Sequence, residues 1–444
     1  MPERILVPIH TGTLWCRTRD RNFNVAKFIF NPGLLPRDGW EYSLSDVVQG
    51  LVAARRAKTA ATIDLPELPN CIPVRSGRVG ILAAISALRL RPGARVGAPL
   101  FCCPIVFKAI ESAGCKVRFL DVDPATFCLS KEDLIAKRNE LDALVAVHMF
   151  GSICDIPELQ KVAPGLPIIE DCAQALGSKL NGRPAGSFGD VAIFSFRSGK
   201  YLSVGEGAAL YSGSVEIRSR LAQFVERLPR PGMRKECRHI ATTWVKSALR
   251  RKPLYGLVGF NLWMRVNQEK RMSLTPPVGP DAVFAADLAT AKHRLANIES
   301  LVSRQRAIAE EFRWGLKLER AMICFEKPGA FYNRLQFPIT FESQRQRDFM
   351  ADFLLTWGVD SVKYLDDVVA TAGEIFSYDN DCPNSERLSK QVLVIPNQHS
   401  LGEKDVRRVI AALNAGWTEL GDNEFSNKHA VASNPQPSLI PISK

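Results

Sequence analysis

The chain has 444 residues, 46% of them hydrophobic, and a formal net charge of +12. That length exceeds one small domain and suits two or three sharing an interface. It contains no uncharged apolar run of about 18 residues, so no membrane span is expected. The charged, proline-containing start MPERILVPIH lacks the apolar stretch of a secretory signal, which points to the cytoplasm.

Residues 1–45 show weak periodicity and read as an extended N-terminal arm. SLSDVVQGLVAARR (43–56) predicts a helix capped by Ser43 or Ser45, and TIDLPELPN (62–70) reads as a loop. From about 70 to 215, strands and helices alternate. CIPVRSG leads into the apolar helix VGILAAISALRL, which stops at Pro92-Gly93. ARVGAPL, CKVRFLDVD, LDALVAVHMF, LPIIED and VAIFSF read as strands. PIVFKAIESAG, SKEDLIAKRN and DIPELQKVA read as the helices between them. Apolar strands separated by amphipathic helices predict an α/β fold with a mostly parallel sheet covered on both faces.

Residues 216–275 form a basic insertion. Between Arg227 and Arg271 stand twelve Lys/Arg against two Glu, a net +10, so the charge excess is local and does not suggest a nucleic-acid coat. A long helix is expected over 281–320. A smaller α+β domain follows, with a strand at RLQFPITF and helices at QRQRDFMADFLLTWG and EKDVRRVIAALNAGW. The implied division is 1–45, 46–290, 291–420 and a Ser-, Asn- and Pro-rich tail, 421–444, expected to be disordered. Eleven cysteines without a C-x-x-C pair read as reduced thiols. Six histidines without ligand spacing give no reason to expect a metal.

Three short motifs sit at strand ends, where ligands of such sheets bind. In FSFRSGKYLSVGEGAAL (194–210), Lys200 follows a strand and a Ser-Gly turn. A buried lysine loses its proton more readily, as imine formation with an aldehyde requires. The same pattern fits a solvated loop lysine. In IIEDCAQALGS (168–178), Asp171 ends a buried strand and can hold a protonated ring nitrogen, or simply cap a helix. In VRSGRVGI (74–81), a Ser-Gly turn enters a helix whose free N–H groups suit a phosphate, although small residues also make ordinary turns.

The order phosphate turn, carboxylate, lysine is more specific than any one motif. Here the chain resembles the DegT/DnrJ/EryC1/StrS sugar aminotransferases, over about 45–215 and again over 281–415. The second stretch includes GVDSVKYL and NSERLSKQVLVIPNQHSLGEKDVRRVIAAL. The resemblance implies the aspartate-aminotransferase-like architecture (pyridoxal-phosphate fold type I) and pyridoxal 5'-phosphate as cofactor. It implies that Ser76, Gly77, Arg78 and Ser195 hold the phosphate and that Lys200 holds the cofactor as an aldimine. Asp171 would pair with the ring nitrogen, Ala173 would pack on the ring, Gln174 would reach the phenolic oxygen, and His148 would lie beside the cofactor. It further implies amino transfer from an amino acid, glutamate by resemblance, to a keto sugar, expected to be nucleotide-linked, in polysaccharide or antibiotic biosynthesis, by a homodimer with shared sites.

The chain departs from the family at Cys103, which stands where an aromatic residue commonly stacks on the ring; the alternation around Phe101 turns that side chain elsewhere. The alternatives are another fold type I enzyme, such as a lyase acting on an amino acid, and a degenerate homologue kept for binding. In the insertion, GLVGFNLWMRV (256–266) lies between Arg250-Arg251-Lys252 and Lys270-Arg271. It fits a peripheral membrane surface, an anionic substrate or carrier, or a helical insertion packed on the dimer partner with solvated charges.

Overall fold

A computed structural model describes residues 5–8, 14–17, 28–56, 62–270, 281–319 and 322–432. Its centre is an eight-stranded sheet. In spatial order the strands are Ile63–Leu65, Leu68–Val74, Ala208–Tyr211, Val191–Ser195, Ile168–Asp171, Ala143–Val147, Arg95–Pro99 and Lys116–Leu120. The last five pair in parallel. The central strand Ala143–Val147 is buried at every residue, so its continuous Val/Leu/Ala run matches a strand covered on both faces. The helices between strands start on side chains that accept first-turn N–H groups: Ser76 for Gly77–Ala87, Ser130 for Lys131–Lys137 and Asp155 for Ile156–Val162.

A three-stranded sheet follows towards the C-terminus, with Val392–Ile395 between Phe337–Thr340 and Val362–Lys363. Helices Gln344–Thr356 and Glu403–Ala432 help cover it. Two cores result. Helix Ile298–Gly315 joins them, giving Ile298 and Val302 to the larger core and Ile308 and Phe312 to the second.

The structure corrects four expectations. TIDLPELPN is not a loop: Ile63–Leu65 and Leu68–Val74 form a hairpin, because Pro66 precedes Glu67, whose φ of 62° turns the chain. The single helix over 281–320 is two, Ala285–Leu295 and Ile298–Gly315, broken at Ala296-Asn297, where Asn297 leaves helical geometry. The backbone of 421–432 is helical rather than disordered: of the Ser, Asn and Pro that suggested disorder, the helix-breaking prolines Pro435, Pro437 and Pro441 all come after 432; residues 433–444 lie outside the described residues. The arm is partly folded: Ile5–Pro8, Leu14–Arg17 and Phe28–Phe30 form an antiparallel sheet.

The basic insertion takes a definite shape. It comprises helices Val215–Glu226 and Met233–Ala248, a π-helical turn at Tyr255–Gly259 and helix Phe260–Lys270. It packs on its own chain. Tyr255 and Phe260 form a small core with Ile29 and Leu34, Ser247 Oγ bonds to Trp40 O and Tyr42 N, and Glu236 accepts from Ala285 N. Several of its cations meet acids of this chain: Lys235 with Asp281, Arg250 with Asp38, and Lys252 with Asp405.

Candidate active site

Sheet register gathers the motif residues. Asp171 lies opposite Val147 on one side and Ile193 on the other. Ala208 pairs with Ser195 on one neighbour and Val74 on the other. The carboxyl ends of these strands therefore bring the Ser76 turn, Asp171 and Ser195 to one edge, and Lys200 follows within five residues. Ser76 Oγ accepts from Val79 N at 3.4 Å and opens helix Gly77–Ala87, presenting the positive end of its dipole there.

Lys200 sits where water is scarce. Burial lowers its pKa to about 8; the charge of Asp171 pulls the other way, and Arg197 adds to the lowering. Burial in turn raises the Asp171 pKa, against a hydrogen bond from Ala173 N to Oδ1 at 2.9 Å and the charge of Lys200. The two groups thus share a dry setting in which each favours the other's charged form. Arg78, at the same edge, is held below its ordinary value by burial and by Arg197, with Glu206 opposing.

The other expected residues divide. Gln174 is buried; its amide donates to Tyr364 Oη at 3.1 Å and its carbonyl accepts from Phe150 N at 3.0 Å. The exposed Cys103 starts helix Pro104–Ser112, close enough to Lys200, Arg78 and Tyr364 to affect their titration. Phe101 is fully buried among Phe127, Phe150 and Tyr364, with ring centroids 6.0–6.3 Å away, so it does not take the ring-stacking place. His148 is joined to Asp171 by a backbone hydrogen bond, its N–H meeting Asp171 O at 3.1 Å. Its ring is wholly buried. Nδ1 accepts from Cys154 N at 2.9 Å, which leaves the proton on Nε2, 2.9 Å from Glu170. Glu170 also accepts from Gly186, Phe188 and Gly189 N–H groups and so fixes the loop before Val191. His148, Glu170 and Cys172 put ligand atoms within 4.8 Å of one another, but these bonds already occupy the carboxylate.

Tyr364 was not singled out from the sequence, although it lies in GVDSVKYL. Its hydroxyl reaches Gln174 across 190 positions of chain, which no local pattern reveals. The glycine-rich stretch after Lys200 is also held from afar. Gly205 (φ +126°) lies so close to the insertion that an added Cβ would stand 2.9 Å from Thr243 Oγ1 and 3.2 Å from Asp287 Oδ1. Asp287 receives His239 Nε2 at 2.8 Å and Glu206 N at 3.2 Å, and Glu206 pairs with Arg75. A larger cavity, about 430 Å³, lies between Val122–Glu132 and Asp155–Leu159; it contains neither Lys200 nor Asp171, so size is no guide to the chemistry.

The family model described as the DegT/DnrJ/EryC1/StrS aminotransferase family matches residues 62–268 and 284–414. Among curated proteins, the chain is 30% identical over 201 residues to the L-glutamine:2-deoxy-scyllo-inosose aminotransferase of Streptoalloteichus tenebrarius, covering 43% of this chain and 47% of that one. It is 37% identical over 151 residues to the GDP-perosamine synthase of Vibrio cholerae, covering 33% and 41%. The chain spans about half the length of the curated relatives it matches. In fold it is similar to a sugar aminotransferase from Micromonospora echinospora, with a TM-score of 0.66 at 20% identity over 86% of this chain and 100% of that one. The mostly parallel sheet, the motif order and a family match over most of the sequence agree: the chain belongs to the DegT/DnrJ/EryC1/StrS aminotransferase family.

Proposed function

We propose that the protein is a pyridoxal-phosphate-dependent aminotransferase that moves an amino group from an amino acid to a keto sugar or keto cyclitol. One observation carries this reading: the half-buried Lys200 amine, its pKa lowered to about 8, is coupled electrostatically to the half-buried Asp171 carboxylate at the carboxyl edge of a mostly parallel sheet. The relatives named for L-glutamine and inosose substrates favour a donor of the glutamate or glutamine type and a hydroxyl-rich acceptor.

The residues present fit the cofactor. Asp171 has one oxygen on Ala173 N, and its burial gives the carboxylate reason to seek a cationic partner such as a protonated ring nitrogen. The Ser76–Arg78 helix start and Ser195 suit a phosphate. Gln174 and Tyr364, joined by a hydrogen bond, would offer the group polar contacts, and Cys103 leaves a small side chain there. When bound, pyridoxal phosphate supplies an aldehyde and an electron-withdrawing ring. Lys200 Nζ would hold it, and its amine would supply the base that moves a proton at the substrate carbon bearing nitrogen. Asp171 would hold the ring nitrogen in its protonated form.

The exposed apolar residues Leu44, Val48, Leu51 and Val52 on one side of helix Leu44–Arg56 support a homodimer. No helix among the described residues is long and apolar enough to cross a membrane. The reading as a cytoplasmic biosynthetic enzyme rests on the family. The acids paired with Lys235, Arg250 and Lys252 argue against assigning the insertion to a lipid surface.

Purified protein supplied with pyridoxal phosphate should develop a visible absorbance band that bleaches on adding L-glutamine or L-glutamate. Lys200→Ala should abolish the band, and Asp171→Asn should keep it while slowing bleaching at least a hundredfold, on the order of 3 kcal/mol. A band that survives Lys200→Ala overturns the assignment.

A further inference from the structure

Beyond the edge that gathers Asp171 and Ser195, Lys200 also borders a narrow pocket of about 40 Å³ between the arm and the second core. Gln336, Asn397 and Gln398 line it, and the side-chain carbonyl oxygens of all three are buried and accept no hydrogen bond. Two of these amides are held by their nitrogens: Asn397 Nδ2 donates to Arg334 O at 2.6 Å and Gln398 Nε2 to Pro36 O at 3.1 Å. Asn397 is only 3% exposed. A buried acceptor without a donor is unfavourable by about 1–3 kcal/mol, so three around one pocket mark a place that a donor should fill.

The charges nearby restrict which donor. Arg37 is engaged by Asp360 at 2.5 Å and Asp38 by Arg250 at 2.6 Å, while burial lowers the pKa of His399 and favours its neutral form. Of the cations on the pocket, Arg37 is paired and Lys200 is the amine that takes up the cofactor, so the three oxygens meet no spare cation and would repel a carboxylate or phosphate. A ligand ammonium group would have to share the pocket with the Lys200 amine, with no free carboxylate to balance the two. Hydroxyl groups fit: each gives a proton to an amide oxygen and carries no charge. The volume admits one or two such groups, hence the polar edge of a ligand rather than a whole ring.

We infer that Gln336, Asn397 and Gln398 form a subsite for the hydroxyl groups of a neutral polyol, the edge of the acceptor substrate that lies next to Lys200. This rests on the transamination reading and adds which part of the chain selects the acceptor. The arm and the insertion take part indirectly, because Arg250 fixes Asp38 and Pro36 O fixes Gln398.

The test uses the full chain loaded with pyridoxal phosphate. Calorimetric titrations would compare scyllo-inositol and D-glucose, which lack the reactive ketone, with L-glutamine and inorganic phosphate. Gln336→Met removes one acceptor without disturbing any side-chain bond seen here, and Gln398→Met serves as a second variant. The native protein should bind at least one polyol, about tenfold more weakly in each variant, with glutamine and phosphate binding unchanged. Equal polyol affinity in native protein and variants overturns the proposal. So does weakened glutamine or phosphate binding in its place, or no polyol binding at all, which leaves the pocket to buried water only. The visible band and its bleaching by glutamine report on the transamination reading separately, so the two can fail independently.

Discussion

A lysine that loses its proton near pH 8 is a different reagent from one on the surface. At neutral pH an ordinary lysine, with a pKa of about 10.4, is neutral in fewer than one molecule in a thousand; a lowering to about 8 raises that fraction more than a hundredfold. The rate at which apo-protein forms its visible band with pyridoxal phosphate should therefore rise with pH through a midpoint near 8. A midpoint above 10 in stopped-flow traces would mean that Lys200 is solvated. Cys103 gives a second test at this scale. Cys103 and Cys237 are both exposed free thiols, but only Cys103 stands beside Lys200. Bound pyridoxal phosphate should slow carbamidomethylation of Cys103 by iodoacetamide and leave Cys237 unaffected, as read by peptide mass spectrometry. Lys200, Asp171 and the Ser76 turn were legible because each ends an apolar strand. Tyr364 and the amide trio at 336, 397 and 398 were not, because only the folded chain brings Tyr364 to Gln174 and the trio to the pocket that Lys200 borders.

At the scale of elements, the loop after Lys200 depends on the insertion. Gly205 combines a φ of +126° with a backbone pressed against Thr243 and Asp287. Gly205→Ala should lower stability by about 2 kcal/mol or more, measured as a shift in urea midpoint, through backbone strain and collision together. A neutral result would mean that the loop is free of helix Met233–Ala248. Strand and helix periods were readable wherever the pattern ran long, as in Ala143–Val147 and Gly77–Ala87. They misled where one residue decides. Glu67 with positive φ made a hairpin of an apparent loop, and Asn297 divided an apparent single helix. The insertion's composition showed charge but not direction, since its arginines and lysines find their partners at 38, 281 and 405 only in the folded chain.

Over the whole molecule, Asp360 ties three regions together. It receives Arg37 from the arm and Tyr255 Oη from the insertion, while lying next to the second sheet, and its side chain is 3% exposed. Arg37 also stacks over Trp263, 3.8 Å from the ring centroid. Asp360→Ala leaves a largely buried guanidinium without its acid and should lower stability by about 3 kcal/mol, an effect that salt should not reproduce in the native protein as it would for an exposed pair. An unchanged denaturation midpoint would show that the arm and insertion hold without it. The parallel-sheet class could be read from alternating strands and helices, but this three-way tie could not, because it joins residues 37, 255 and 360.

Helix Ile298–Gly315 acts as a beam between the two cores. Its first half is sunk in one and its last half in the other, and at mid-span Gln305 grips the carbonyls of Arg334 and Leu335 at 3.1 and 2.6 Å. Eighteen residues make it about 27 Å long without a break. Gln305 also lines the pocket beside Lys200, so one wall of that pocket belongs to a continuous rod. It cannot swing open like a jaw unless that rod bends. Neither half can melt without disturbing the other.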